Sequence, residues 1–170
     1  MYKLRELYKD DLVEINRWRN DKNLIDNLGA QFRYINLGVD EKWYETYMAS
    51  RQSTVRCAIV DANDMIVGIV GLVNINHLNQ SAVFNIMIGK NENQNKGIGT
   101  FATKEMLKHA FYNLNLNRVE LSVLEYNERA IRMYEKCGFV REGKKRQVTF
   151  KNGKFIDMYI YSILRAEFIY

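Results

Sequence analysis

The sequence predicts a single α/β domain over residues 1–170, of the mixed α+β kind, with a mostly antiparallel sheet of about seven strands and four helices. The length fits one domain, and a hydrophobic content of 47% is enough for one substantial core. Hydrophobic periodicity indicates the order strand, two helices, three strands, helix, strand, helix, two strands. Polar turns at 61–64 and 151–154, each between two apolar runs, indicate hairpins and therefore antiparallel pairing.

The first half of the chain carries the weaker patterns. We expect a strand at 2–8, a helix from about Asp11 to Asn20, irregular chain over 21–38 and a helix over about 40–51. Asp10 or Asp11 is expected to cap the first helix and Asp40 the second, because a carboxylate accepts hydrogen bonds from the unpaired N–H groups of a first turn. Gly29 and Gly38 are expected to act as breakers.

The second half carries the stronger patterns. We expect strands over 54–60, 65–75, 81–89, 118–124, 140–150 and 155–164, with helices over about 97–114 and 127–137. Asn152-Gly153 is the clearest hairpin turn, since both residues tolerate the positive φ that such turns need. Gly138 is expected to end the last helix for the same conformational reason.

The composition excludes several classes of function. A net charge of +5, from 25 basic and 20 acidic residues, is too small and diffuse to indicate nucleic-acid binding. No apolar run approaches the ~18 residues of a membrane span, and the N-terminus does not resemble a signal peptide, so we expect no membrane partner and a cytoplasmic location. Cys57 and Cys137, with two histidines, lack the number and spacing of a disulfide framework or a metal site.

The segment 94–100, Gln-Asn-Lys-Gly-Ile-Gly-Thr, lies between an apolar strand and a long helix. Its glycines permit a tight turn, and the helix presents unpaired N–H groups and the positive end of its dipole. These features predict an anion site suited to a pyrophosphate. The dinucleotide-binding pattern G-x-G-x-x-A also fits 97–102, but its ribose-binding acid would be Glu120, which lies near the start of its strand rather than at the carboxyl end.

A second cluster follows the next strand. Residues 127–130 read Asn-Glu-Arg-Ala, and residues 134–139 read Tyr-Glu-Lys-Cys-Gly-Phe. In this order the two clusters resemble the GCN5-related N-acetyltransferase (GNAT) superfamily, and the element order is similar to it over nearly the whole chain. The resemblance implies a GNAT fold with a splayed central strand pair, acetyl-CoA as co-substrate, and direct acetyl transfer to a primary amine in a ternary complex.

The resemblance also implies roles for individual residues. Residues 94–99 match the signature Q/R-x-x-G-x-G/A, whose backbone N–H groups bind the pyrophosphate of coenzyme A. The strand backbone near the thioester would polarise its carbonyl, and Tyr134 would protonate the leaving thiolate as the catalytic residue. Asn127 would cap its helix and bind the pantetheine arm. The implied cofactor-binding residues are Met87, Ile88, Gln94, Asn95, Lys96, Gly97, Ile98, Gly99, Thr100 and Asn127.

The base that takes the proton from the amine is not evident. Ribosomal-protein and spermidine acetyltransferases often carry a glutamate just after the alanine of the central strand, where this chain has Val83 after Ala82. A valine cannot act as a base, so another group or a water relay is needed. The alternatives that stay open are Asp26, Glu41, Glu45 and His77.

The acceptor has no fixed motif. Residues 18–21 and the helix around Trp43 are similar to the branch that acetylates protein N-termini and small amines. Nucleotide-linked amino-sugar acetyltransferases share this sequence pattern. We therefore expect a peptide N-terminus or a nucleotide-linked amino sugar. Mixed charges near the expected cleft, with the basic triplet 144–146, argue against a polyamine, which stays a further alternative. A non-catalytic acetyl-CoA sensor or scaffold is the alternative from another class, and a homodimer is left open.

Overall fold

The computed structural model describes residues 1–89 and 97–169. In chain order its elements are β1 (Lys3–Glu6), α1 (Leu12–Arg19), α2 (Lys22–Asp26), α3 (Leu37–Ala49), β2 (Val55–Val60), β3 (Ile66–Asn76), β4 (Ser81–Ile88), α4 (Ile98–Lys108), β5 (Arg118–Leu124), α5 (Glu128–Lys136), β6 (Val140–Lys151) and β7 (Lys154–Leu164). A 3-10 turn, Lys9–Asp11, precedes α1, and a π-helical turn, His109–Asn113, continues α4. None of the described helices is long and apolar enough to cross a bilayer.

The strands of the described chain form one seven-stranded sheet in the order β1-β2-β3-β4-β5-β7-β6. Neighbouring strands are antiparallel except for β4 and β5, which are parallel. These two central strands pair only between residues 81–83 and 118–120 and then separate. The mixed fold class, the mostly antiparallel sheet and its splayed central pair are therefore confirmed.

Helices cover both faces of the sheet, which buries the strands between two apolar layers. The layer that includes α4 contains Met106 together with Phe84 of β4. The layer that includes α1 and α3 contains Trp18 and Tyr47 together with Met87 of β4. Because side chains alternate along a strand, β4 contributes to both layers.

The turn residues behave as the sequence predicts. Asn152 and Gly153 have φ of 50° and 79°, the two left-handed residues that a tight β6–β7 hairpin turn needs. Gly138 has φ of 96° directly after α5, so it can terminate the helix without the steric cost that a Cβ would carry. β5 spans the predicted residues 118–124. These predictions are confirmed because each depends on local backbone conformation.

The predicted start of α3 is wrong. Asn36 caps this helix, and its side chain accepts from the Val39 N–H at 3.3 Å. The helix therefore begins at Leu37, and Gly38 lies in its first turn rather than acting as a breaker. Asp40 is not a cap.

Asp40 is instead a fully buried link between α1 and α3, with 0% of its side chain exposed. Its carboxylate accepts from the Asn16 side-chain amide at 2.7 Å and from the Arg19 guanidinium. The two partners satisfy both carboxylate oxygens, which makes burial of the charge tolerable. The sequence pattern could not show this, because both partners lie about 20 residues away in the chain.

Two further predictions in the first half are corrected. Asp11 makes no capping bond to α1, because its carboxylate accepts from the Arg5 guanidinium at 2.8 Å and from the Tyr8 N–H at 2.8 Å. Residues 22–26, expected to be irregular, form the short helix α2, whose cap Asp21 accepts from two N–H groups of the first turn. The described chain therefore has five α-helices rather than four, since five residues are too few to show a helical period.

Candidate active site

A cleft of about 720 Å³ opens where β4 and β5 separate. It is lined by β4 from residue 83 to 88, the end of β5, the first turn of α4, the α5 helix, and residues 27–30 after α2. The structure brings together in this lining Met87, Ile88, Gly97, Ile98, Gly99, Thr100, Asn127 and Tyr134. The other three predicted site residues, Gln94, Asn95 and Lys96, lie outside the described residues.

The open edge of β4 faces the cleft. Past Val83, this strand has register partners on β3 but none on β5 within the described chain. Met87 and Ile88, for example, pair with Ile69 and Gly68 of β3. Unpaired N–H and C=O groups on such an edge can bind an extended amide-containing chain as an added strand does. The edge therefore suits a pantetheine arm.

The start of α4 forms one end of the cleft and presents features that suit an anion. Gly97 is the residue before the helix, with φ of 76°, and no side chain caps it. The N–H groups of Ile98, Gly99 and Thr100 have no partners within the helix because they belong to its first turn. Because these residues line the cleft, the positive end of the helix dipole lies at the cleft. This arrangement fits a pyrophosphate.

The start of α5 is fixed by Asn127. Its side-chain oxygen accepts from the Ala130 N–H at 3.1 Å, which confirms the predicted cap. Its side-chain amide donates to the Asn27 carbonyl at 2.8 Å, a contact that joins α5 to the end of α2. Asn127 therefore ties two walls of the cleft together, and its predicted bond to the pantetheine arm remains a prediction.

Tyr134 lies on α5 and is 8% exposed. Its ring packs edge-on against Phe84, with ring centroids 6.2 Å apart, and against Phe139 at 5.7 Å. The residue lines the cleft. Burial raises the pKa of Tyr134 above its ordinary value, so the phenol is protonated at neutral pH. Such a hydroxyl can donate a proton to a group bound in the cleft.

The charged side chains that line the cleft are cationic. They are Arg129, Arg132 and Lys136 of α5, and the described lining contains no Asp, Glu or His. Val83 does line the cleft, and a valine side chain cannot act as a base. A polyanionic cofactor is therefore favoured, and a protein base is missing from the described lining.

None of the four alternative bases lies in the lining. Asp26 is bonded to Lys22 and to the Asn152 side chain, and the pKa of Asp26 is lowered by the first of these contacts. Glu41 lies 3.7 Å from Lys9, and the His77 ring bonds to a backbone carbonyl. Asp26, Glu41 and His77 are thus engaged in contacts outside the cleft lining.

Sequence reasoning missed Lys151. This lysine is 6% exposed, and its ammonium donates to the carbonyls of Ile25 at 2.8 Å and Ala30 at 2.6 Å. Residues 27–30, which line the cleft, lie between these two carbonyls. A lysine beside an Asn-Gly turn suggests a solvated position, so no sequence signal could have identified its role. Lys151 therefore holds the loop that forms this wall of the cleft.

Comparison with known proteins agrees with this geometry. The family description "Acetyltransferase (GNAT) domain" matches residues 2–140. The spermidine N(1)-acetyltransferase of Vibrio cholerae is 31% identical over 98% of this chain and 94% of that protein. A putative ribosomal N-acetyltransferase of Bacillus subtilis, YdaF, is 36% identical over 59% of this chain and 54% of that protein.

A solved structure matches the fold closely. The crystal structure of spermidine N-acetyltransferase from Vibrio cholerae in complex with CoA and spermine has a TM-score of 0.91 at 31% identity, and the match covers 98% of this chain and 96% of that chain. The agreement extends through the elements that form the cleft. The chain therefore belongs to the GNAT family of acetyltransferases and is an N-acetyltransferase that uses acetyl-CoA.

Proposed function

We propose that this enzyme transfers the acetyl group of acetyl-CoA to a primary amine of a polyamine such as spermidine. The proposal rests on the similarity to spermidine acetyltransferases over 98% of the chain. This similarity includes residues 27–30, the wall of the cleft that we assign to the acceptor. The comparisons match the polyamine alternative and do not support a peptide or amino-sugar acceptor. They also favour an enzyme over a non-catalytic sensor.

Several of the basic residues that weigh against a polyamine in the sequence are paired with acids. Mixed charges were weighed there without knowledge of these pairs. Arg19 is paired with Asp40, Lys22 with Asp26 at 2.5 Å, and Lys144 with Asp157 at 2.6 Å. These cations are neutralised locally, so they repel a polyamine much less than the sequence suggests.

The proposed chemistry assigns one step to Tyr134. The acceptor nitrogen forms a bond to the acetyl carbon as the C–S bond of the thioester breaks, and the Tyr134 hydroxyl gives its proton to the departing sulfur. The amine loses its proton through water, since the described lining offers no carboxylate or imidazole. The N–H groups along β4 that face the gap polarise the thioester carbonyl.

An acceptor panel tests the proposed function. Free thiol release from acetyl-CoA is measured with spermidine, spermine, alanine- and serine-terminated peptides, and a nucleotide-linked amino sugar. We expect spermidine or spermine to saturate with a kcat/KM at least about tenfold above those of the other amines. Saturation by a peptide while both polyamines are inert would refute the polyamine assignment and leave the enzyme class intact.

Gly99→Val is expected to abolish the stabilisation of the protein by acetyl-CoA while the fold survives. A Cβ at Gly99 meets only Met133, at 3.7 Å, so the helix tolerates it. The two added methyl groups would occupy space beside the first-turn N–H groups that bind the phosphates. Thermal shift with and without acetyl-CoA measures the effect.

Gly143→Val is the matched control for this prediction. A Cβ at Gly143 meets nothing within 4 Å, and the residue does not line the cleft. Its ligand-induced shift in Tm should equal that of the wild type. An unchanged shift in Gly99→Val would show that the phosphates bind elsewhere.

Lys151→Met is expected to raise the KM for the amine acceptor about tenfold with little effect on acetyl-CoA affinity. Methionine keeps the apolar stem but removes the donor, so the Ile25 and Ala30 carbonyls lose their partner and the loop between them loosens. Steady-state kinetics with each substrate varied in turn separates the two effects. Lys154→Met, at an exposed position of the same hairpin, is the control and should behave as wild type. If both variants had the same KM for the acceptor, Lys151 would have no role in acceptor binding.

A further inference from the structure

A second pocket, of about 340 Å³, lies between α3 and the sheet. One side of the pocket is lined by residues at spacings of three and four on one face of α3 and by the residue that follows the helix. They are Trp43, Thr46 and Tyr47 of α3, and Ser50. Thr54, Arg56, Val73, Asn74 and Asn85 complete the lining. Among the described residues of this lining, Arg56 is the one that carries a charge.

Arg56, Gly71 and Asn85 form a row across β2, β3 and β4, because Arg56 pairs with Gly71 and Gly71 pairs with Asn85. The central residue has no side chain, so nothing on the sheet separates the guanidinium from the Asn85 amide. A Cβ at Gly71 would lie 3.5 Å from the Arg56 Cγ and 2.4 Å from a backbone oxygen. The glycine therefore keeps this part of the pocket open.

The Arg56 guanidinium is half-buried without a counter-ion in the described chain. It lies over the Trp43 ring, 4.7 Å from the centroid, and its Nε is buried with no hydrogen-bond partner. Burial lowers the pKa of Arg56, and the like charge of Arg19 adds to the effect. The nearby Tyr47 hydroxyl donates to Glu6, and Tyr47 opposes the lowering of the Arg56 pKa without outweighing burial. A partly desolvated cation in this setting is costly unless an anion joins it.

We propose that this pocket binds a carboxylate group, held by the terminal nitrogens of Arg56 and by the neutral hydroxyls and amides around them. A guanidinium donates two parallel N–H bonds to the two oxygens of a carboxylate, and one cation balances one negative charge. A doubly charged phosphate would leave charge uncompensated here. The carboxylate comes from a small organic acid or from a side chain of a second copy of this chain. Asn85 also lines the cofactor cleft, so the bound carboxylate lies next to the active site on the other side of β4.

The test titrates propionate, which carries a single carboxylate, into the protein with the cofactor cleft first saturated by CoA, because the cleft itself attracts anions. Two-dimensional NMR follows the Arg56 Nε–H resonance, and calorimetry gives the Kd. We expect this resonance to shift and the Kd to rise at least about tenfold in Arg56→Met, which keeps the contact with Trp43. Arg51→Gln removes a nearby cation that is already paired with Glu6, and its Kd should equal that of the wild type.

The two sources of the carboxylate give different results. A second copy of the chain supplies the carboxylate if propionate does not bind and sedimentation velocity shows that the wild type associates. In that case Arg56→Met should abolish the association and Arg51→Gln should not. Phosphate that binds more tightly than propionate would overturn the proposal. The proposal would also be overturned if the Arg56 Nε–H resonance did not shift and the protein showed no association that depends on Arg56. The NMR measurement uses the wild type, so the result does not depend on the folding of a variant.

Discussion

Replacing Tyr134 by phenylalanine is expected to lower turnover about a hundredfold, with a small change in the KM for acetyl-CoA. The ring contacts with Phe84 and Phe139 survive in the variant, so binding and stability should change little. The lost hydroxyl matters chiefly when the thiolate forms, which places the effect in kcat. Because burial raises the pKa of Tyr134, the wild-type rate should not fall through tyrosine ionisation below about pH 10.

The measurement is steady-state thiol release under conditions where the chemical step limits the rate. Tyr161→Phe is the control, because this tyrosine is also buried but does not line the cleft, and its hydroxyl donates to Glu135 at 2.8 Å. The control should keep turnover within about twofold while losing about 1 kcal/mol of stability. Near-full turnover in Tyr134→Phe would mean that water or another group is the acid.

The largest expected loss of stability follows Asp40→Ala. Removal of this carboxylate leaves Arg19 and the Asn16 amide without their shared partner between α1 and α3. Breaking a buried pair costs about 3–5 kcal/mol, and the lower end applies because Arg19 is 33% exposed and can regain water. Urea denaturation should therefore show a free energy of unfolding about 3 kcal/mol below that of the wild type.

Glu128→Gln is the control for this loss. It breaks an exposed ion pair, Glu128 with Arg132 at 3.0 Å, whose side chains are 76% and 69% exposed. An exposed pair of this kind is worth about 0.5 kcal/mol or less. A loss of under 1 kcal/mol in Asp40→Ala would show that the buried carboxylate does not hold α1 and α3 together.

The part of the site that sequence could predict is the part set by local conformation. Gly97 has the positive φ that its motif demands, and Asn127 caps α5 as its position before the helix indicates. Tyr134 then lines the cleft because it lies two turns further along the same helix. The parallel pair β4 and β5 brings the two motifs together, and the family resemblance supplied that topology.

The missed features depend on contacts between distant residues. Lys151 bonds to carbonyls 126 and 121 positions away in the chain, so its burial has no local signal. Asp40 precedes a run of helical spacing and therefore suggests a cap, yet its partners lie on another helix. The prediction of a peptide or amino-sugar acceptor is not supported for the same reason. It was based on charged residues near the cleft without the ion pairs that neutralise some of them.

Hydrogen exchange with and without CoA tests whether the cofactor lies in the gap between β4 and β5. We expect CoA binding to slow the exchange of Ile98–Thr100 and of those amides in residues 84–88 that face the gap, because these N–H groups gain partners in the complex. Amides of β1, which lies three strands away from β4, should be unchanged. A saturated complex in which residues 84–88 and the first turn of α4 exchange as fast as in the free protein would contradict the account.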